Sequence, residues 1–140
     1  MKYSKTKGYK FKLEADEKVL VDIPANCHND YISLDQGVLI IKFSYAWDGS
    51  TIPLKKWFSW LYDFDKYCKM ASLVHDSLCQ LMREDLLDKK HKELIDSIYR
   101  DMCIKGGLSK RNADRRYKCL RKYGDPYIRN IDKRNEIFTI

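Results

Sequence analysis

The sequence predicts an α+β fold: a small N-terminal antiparallel sheet of about three strands, followed by three or four helices, the central two forming an antiparallel pair. Three observations carry this. Strand-like segments rich in β-branched residues fill the first third of the chain and do not alternate with helical ones. A hairpin signal, Asp35-Gln36-Gly37, separates two of them. From residue 67 onward, apolar residues recur at three- and four-residue intervals.

Residues 1–10 carry Lys2, Lys5, Lys7 and Lys10 without a hydrophobic period and are expected to be a basic arm or an edge segment. Residues 18–23 (KVLVDI), closed by Pro24, read as a strand, and 26–30 (NCHND) as a loop. His28 and Asp30 are expected there as solvated turn residues, because a metal site needs three or four converging ligands. Residues 31–34 and 38–45 form the hairpin arms, with Gly37 supplying the positive φ of a short connection. Residues 45–53 (YAWDGSTIP) turn through Asp48-Gly49-Ser50 toward a following helix that Ser50 or Thr51 would cap. Such a loop can also present a carboxylate and carbonyl oxygens to a hard cation. The aromatic stretch 54–64 (LKKWFSWLYDF) is expected to pack in the core, the alternative being an amphipathic lip facing lipid with Lys55 and Lys56 beside it.

In residues 67–81 (YCKMASLVHDSLCQL), Tyr67, Met70, Ala71, Val74, Leu78 and Leu81 make a continuous apolar face, so His75-Asp76 sits on a buried helix. Ala71, Ser72 and Cys79 are small enough to let another element approach the imidazole. A histidine with a carboxylate partner is a competent base, although a lone His-Asp dipeptide is more often a satisfied polar spot at a core edge. After a charged connection, a helix over about 89–104 carries the stripe His91, Leu94, Ile95, Ile98 and Met102, with Asp96, Tyr99 and Cys103 on its flank. Two antiparallel helices with a short connection would bring His75 and Asp96 within reach. Gly106-Gly107 ends this helix, and Ser109 caps a last one running to about Tyr123.

That last helix holds Lys110, Arg111, Arg115, Arg116, Lys118, Arg121 and Lys122 against a single acid, Asp114. Ala113, Tyr117 and Leu120 give it a narrow docking seam, so the basic residues are candidates for binding an anionic partner. Residues 125–140 are a mixed tail.

A chain of 140 residues suits a single domain, and 44% hydrophobic with 13% aromatic residues argues against intrinsic disorder. No apolar run is long enough to span a membrane, and the N-terminus lacks the apolar core of a signal peptide, so a cytoplasmic protein is expected. The five cysteines are odd in number and contain no CxxC pair, which points to reduced thiols. A net charge of +7 suits anionic partners without selecting one.

The order YAWDGSTIP, ASLVHDSL, an acid in the next helix, and a basic helix ending in KYG resembles the phage- and prophage-associated family called domain of unknown function 1353, over about 19–124. That resemblance implies the cytoplasm of an infected bacterium or a virion. A second resemblance covers about 47–103: WDGS, HDSL and KELIDSIYRDM are similar to bacterial secreted phospholipases A2. It implies His75 as general base, Asp96 as the carboxylate orienting it, and Asp76 and Asp48 as ligands of a calcium ion that would assist ester hydrolysis on lipid. The chain departs from that pattern in having one glycine in residues 45–53 and no bracing disulfide pattern. Three expectations follow: a calcium-assisted hydrolase, a non-catalytic virion or accessory protein that keeps the scaffold for docking, and nucleic-acid binding through the basic helix.

Overall fold

The turn at Asp35-Gln36-Gly37-Val38 has φ of 49° at Gln36 and 79° at Gly37. Positive φ at both central residues is the type I′ geometry whose twist matches that of the flanking strands, so the connection is as tight as the sequence predicts. The computed structural model describes residues 1–4, 11–47 and 65–122. Among them are seven short strands: β1 (Tyr3–Ser4), β2 (Phe11–Leu13), β3 (Glu17–Leu20), β4 (Cys27–His28), β5 (Ile32–Asp35), β6 (Val38–Ile41) and β7 (Ala46–Trp47). All pairings are antiparallel.

The strands divide into two sheets, with orders β1-β2-β7 and β3-β6-β5-β4. Ser44, at φ 76°, turns the chain after β6 so that β7 joins β2. Bonds from Leu13 N–H to Tyr45 O (2.8 Å) and from Ser44 N–H to Leu13 O (3.0 Å) hold that change of sheet. β1 is an edge strand, one of the two outcomes expected of the N-terminal segment. His28 and Asp30 are exposed as expected, but His28 lies in β4, paired with Ser33 of β5, rather than in the expected loop.

Strand alternation decides what is buried. On one face Val19 pairs with Leu39, Ile32 with Ile41, and Leu34 with Leu39, while Lys18, Leu20 and Asp35 face out. The inward residues join Leu73, Val74, Leu78, Leu81 and Met82 of helix α1 (Asp65–Arg83) in one core. Each fully buried Leu or Ile side chain contributes about 1.5–3 kcal/mol. Trp47, 1% exposed, fastens β7 to α1 by donating its indole N–H to Ser72 Oγ at 3.0 Å in the interior.

Helix α1 ends where Asp85 adopts φ 58° and Leu86 N–H returns to Leu81 O at 2.9 Å, an αL-type stop. Asp88 then caps a short 3-10 turn (Lys89–His91) by accepting from Lys90 N–H at 2.8 Å, and α2 follows over Lys92–Lys105. The two central helices pack against each other and run antiparallel: Cys68 of α1 meets Cys103 of α2, while further along α1 His75 meets Asp96. At one end the backbones nearly touch, because a Cβ on Gly106 would collide with the Tyr67 carbonyl.

The buried face of α2 is rotated from the expected stripe. Lys92, Ile95, Asp96, Tyr99 and Cys103 face inward, whereas Leu94 is 39% exposed and His91, Ile98 and Met102 are only half-buried. The polar flank has become the inward side because its ionic partners lie there. A third helix, α3, occupies 110–122. Ser109 caps it, its Oγ accepting Asn112 N–H at 3.3 Å, and Ala113 and Leu120 are buried as predicted. No described helix is long and apolar enough to cross a membrane. The aromatic stretch 54–64 and the tail 125–140 lie outside the described residues.

Candidate functional site

Asp96 is fully buried on α2, and it is met from three helices. From α1, His75 donates Nε2–H to Oδ1 at 2.7 Å; the direction follows because an ionised carboxylate can only accept. From one turn earlier on α2, Lys92 Nζ donates to Oδ1 at 2.6 Å and to Oδ2 at 2.7 Å. From α3, Arg121 Nη1 donates to Oδ2 at 3.0 Å. These four bonds fill the acceptor positions of one carboxylate.

The sequence placed His75 and Asp96 together, and the structure does so. A scaffold role for Asp96 implies pairing with a Lys or Arg, but that the cations are Lys92 and Arg121 was not anticipated. The i,i+4 spacing of Lys92 and Asp96 on one helix was a legible signal for the first. No sequence signal marks Arg121 as Asp96's partner rather than one more surface cation.

Asp96 titrates below the ordinary carboxylate value: burial alone would raise it, but the His75 bond and charge and the Lys92 ammonium outweigh burial. His75 is 3% exposed. Burial opposes its charge, yet Cys79 and Asp96 together raise its pKa to about 9. Cys79 Sγ lies 3.5 Å from Nδ1 and 3.9 Å from Nε2. A sulfur on the Nδ1 lone-pair axis would be farther from Nε2 by nearly the ring's width, so these similar distances set the thiol against the ring rather than in line with either nitrogen. The carboxylate is therefore the partner that orients the imidazole. Tyr99 meets the same ring edge-on, with centroids 5.4 Å apart.

Tyr99 connects this hub to a second buried cluster. Its hydroxyl accepts from Arg116 Nη1 at 2.8 Å, and it packs with Cys68 and Cys103. Burial, with Cys103 adding to it, pushes the Tyr99 hydroxyl well above its ordinary pKa. Arg116 is only 1% exposed, so it leaves the predicted outward basic set: its place on α3 coincides with the seam of Ala113 and Leu120 rather than with the solvent face. Lys110, Arg111, Arg115, Lys118, Arg121 and Lys122 are exposed, Arg121 reaching inward to Asp96.

Of the two expected calcium ligands, Asp76 is half-buried on α1 beside His75, and Asp48 lies outside the described residues. Among the described residues no group of three or more His, Cys, Asp or Glu side chains is arranged to hold a metal ion. Compared with protein families, curated proteins and solved structures, the chain finds no match.

Proposed function

We propose that this is a non-catalytic, phage-associated accessory or virion protein in which the His75–Asp96 pair fastens three helices and the outer face of α3 docks an anionic partner. The observation behind this reading is the saturation of Asp96 by His75, Lys92 and Arg121. A carboxylate whose acceptor positions are all taken by three cationic groups has a structural job. An imidazole with a pKa of about 9 is charged at neutral pH and has no lone pair to offer as a base. The same ionic hub holds α3 by Arg121 and so sets the orientation of the exposed cations along that helix. Binding to DNA, RNA and anionic vesicles, each measured across a salt series, tests the docking role and separates its partners. Affinity should fall steeply with salt for the true partner, as counterions are released. Binding to none of the three would defeat the proposal.

The phospholipase A2-like hydrolase remains a second reading, and one feature favours it. With Nε2 committed to Asp96, the nitrogen left for a water is Nδ1, which only the Cys79 sulfur approaches among the described residues. A base of that kind works only when neutral, so hydrolysis of phosphatidylglycerol vesicles should rise with pH up to about 9. It should also vanish in His75→Ala and, if calcium assists, in EDTA. Hydrolysis showing that pH limb and lost in His75→Ala would replace the docking reading.

A further inference from the structure

The second buried cluster contains chemistry that neither reading uses. Cys68 at the start of α1 and Cys103 near the end of α2 are both 0% exposed and share one cluster with Tyr99, Leu108, Ala113 and Leu120. They lie opposite each other across the α1–α2 seam: His75 and Asp96 meet at 2.7 Å, and on these antiparallel helices Cys68 comes seven residues before the one and Cys103 seven residues after the other. The backbone brings them there: the Gly106 end of α2 lies against the Tyr67 carbonyl, adjacent in sequence to Cys68. All five thiols are reduced in the structure.

We propose that Cys68 and Cys103 are a redox modification site, closing into a reversible α1–α2 disulfide when the protein meets a hydroperoxide. The two sulfurs are not equivalent. The neighbouring Cys103 thiol and the guanidinium of buried Arg116 favour the Cys68 thiolate, lowering its pKa despite burial, whereas Cys103 is pushed up by its Cys68 neighbour and by burial. Cys68 is therefore the attacking sulfur and Cys103 the resolving one. In the first step the Cys68 thiolate attacks a peroxide oxygen, the O–O bond breaks, and the departing hydroxide is protonated to water, leaving a sulfenic acid. In the second step the Cys103 sulfur attacks Cys68, the S–O bond breaks, and the hydroxyl leaves as water with the Cys103 proton. The two thiols lose two electrons and one hydrogen peroxide becomes two waters. Only a small oxidant fits this scheme, because neither sulfur is exposed.

The test uses the native full chain treated with hydrogen peroxide, alkylated, digested and mapped by mass spectrometry. The expected result is a 68–103 linked peptide, loss of two of the five thiols, and recovery of both with dithiothreitol. In Cys103→Ser the reaction should stop at a sulfenic acid on Cys68, which dimedone captures. Cys27→Ser and Cys119→Ser should leave the 68–103 link unchanged. A folded protein that yields no 68–103 peptide, that links other cysteines instead, or that links this pair only after denaturation would overturn the proposal. If Cys103→Ser does not fold, the wild-type peptide map still decides. The result is independent of whether α3 binds an anion or His75 acts as a base.

Discussion

Replacing Asp96 by Asn tests the ionic hub most directly. The amide keeps the shape of the carboxylate but removes its charge, leaving the Lys92 ammonium, 5% exposed, and the His75 imidazolium in the interior without their counter-ion. Breaking a buried pair from one side costs about 3–5 kcal/mol. For a chain of this length that corresponds to a fall in Tm of roughly 10–17 °C. A second signature is pH dependence. His75 is held above its ordinary 6.5 at about 9, so its contribution is fully present below about 6.5 and is lost as pH rises through about 9. That interval corresponds to about 3 kcal/mol at most. Among the described residues the groups facing the ring are Asp96, Cys79 and Tyr99, with Lys92 and Arg121 acting through Asp96. Asp96 itself is held below the ordinary carboxylate value, so its contribution is present above that value and is lost as pH falls through the lowered one. Urea denaturation across this pH range, with NMR titration of the His75 ring, measures both signatures. In Asp96→Asn the stability should drop at neutral pH, the His75 pKa should fall from about 9 because the carboxylate is gone while Cys79 stays, and the loss of stability with rising pH should shrink and move to lower pH. An Asp96→Asn protein that loses less than about 1 kcal/mol while His75 still titrates near 9 would refute the reasoning.

Three further predictions rest on other contacts. Gly106→Ala should destabilise the protein by about 2 kcal/mol or more in urea denaturation, because the new methyl forces α2 away from the Tyr67 carbonyl; an unchanged midpoint would show that the helices do not approach so closely. Ser72→Ala leaves the buried Trp47 indole N–H without its acceptor and should cost about 1–3 kcal/mol, with a shift in tryptophan fluorescence as a second readout. Charge reversal at Lys110, Arg111 and Lys118, all exposed, should weaken binding of an anionic partner and flatten its salt dependence while the circular dichroism spectrum stays native. Equal reversal at Arg116 should instead unfold the protein, since that side chain is 1% exposed.

The order of strands before helices, the Gln36-Gly37 turn, the burial of α1, the Ser109 cap and the Ala113–Leu120 seam were legible in the sequence, because each depends on residues close together in the chain. The His75–Asp96 contact was also within reach, since two helices joined by a short connection must run antiparallel. Three features were not. The split of the strands into two sheets turns on Ser44, a residue type that gives no sign of a positive φ. The rotation of α2 depends on which side finds cationic partners, and a period counts apolar residues without seeing that Asp96 is worth burying once it is satisfied. Arg116 and Arg121 look alike on a basic helix, five residues apart. The packing of α3 sends one to Tyr99 and the other to Asp96, 25 residues away in the chain. Local spacing thus determined the elements and their faces, whereas the partners of the buried charges were decided by tertiary structure, because an ion pair forms wherever packing brings opposite charges together and water is excluded.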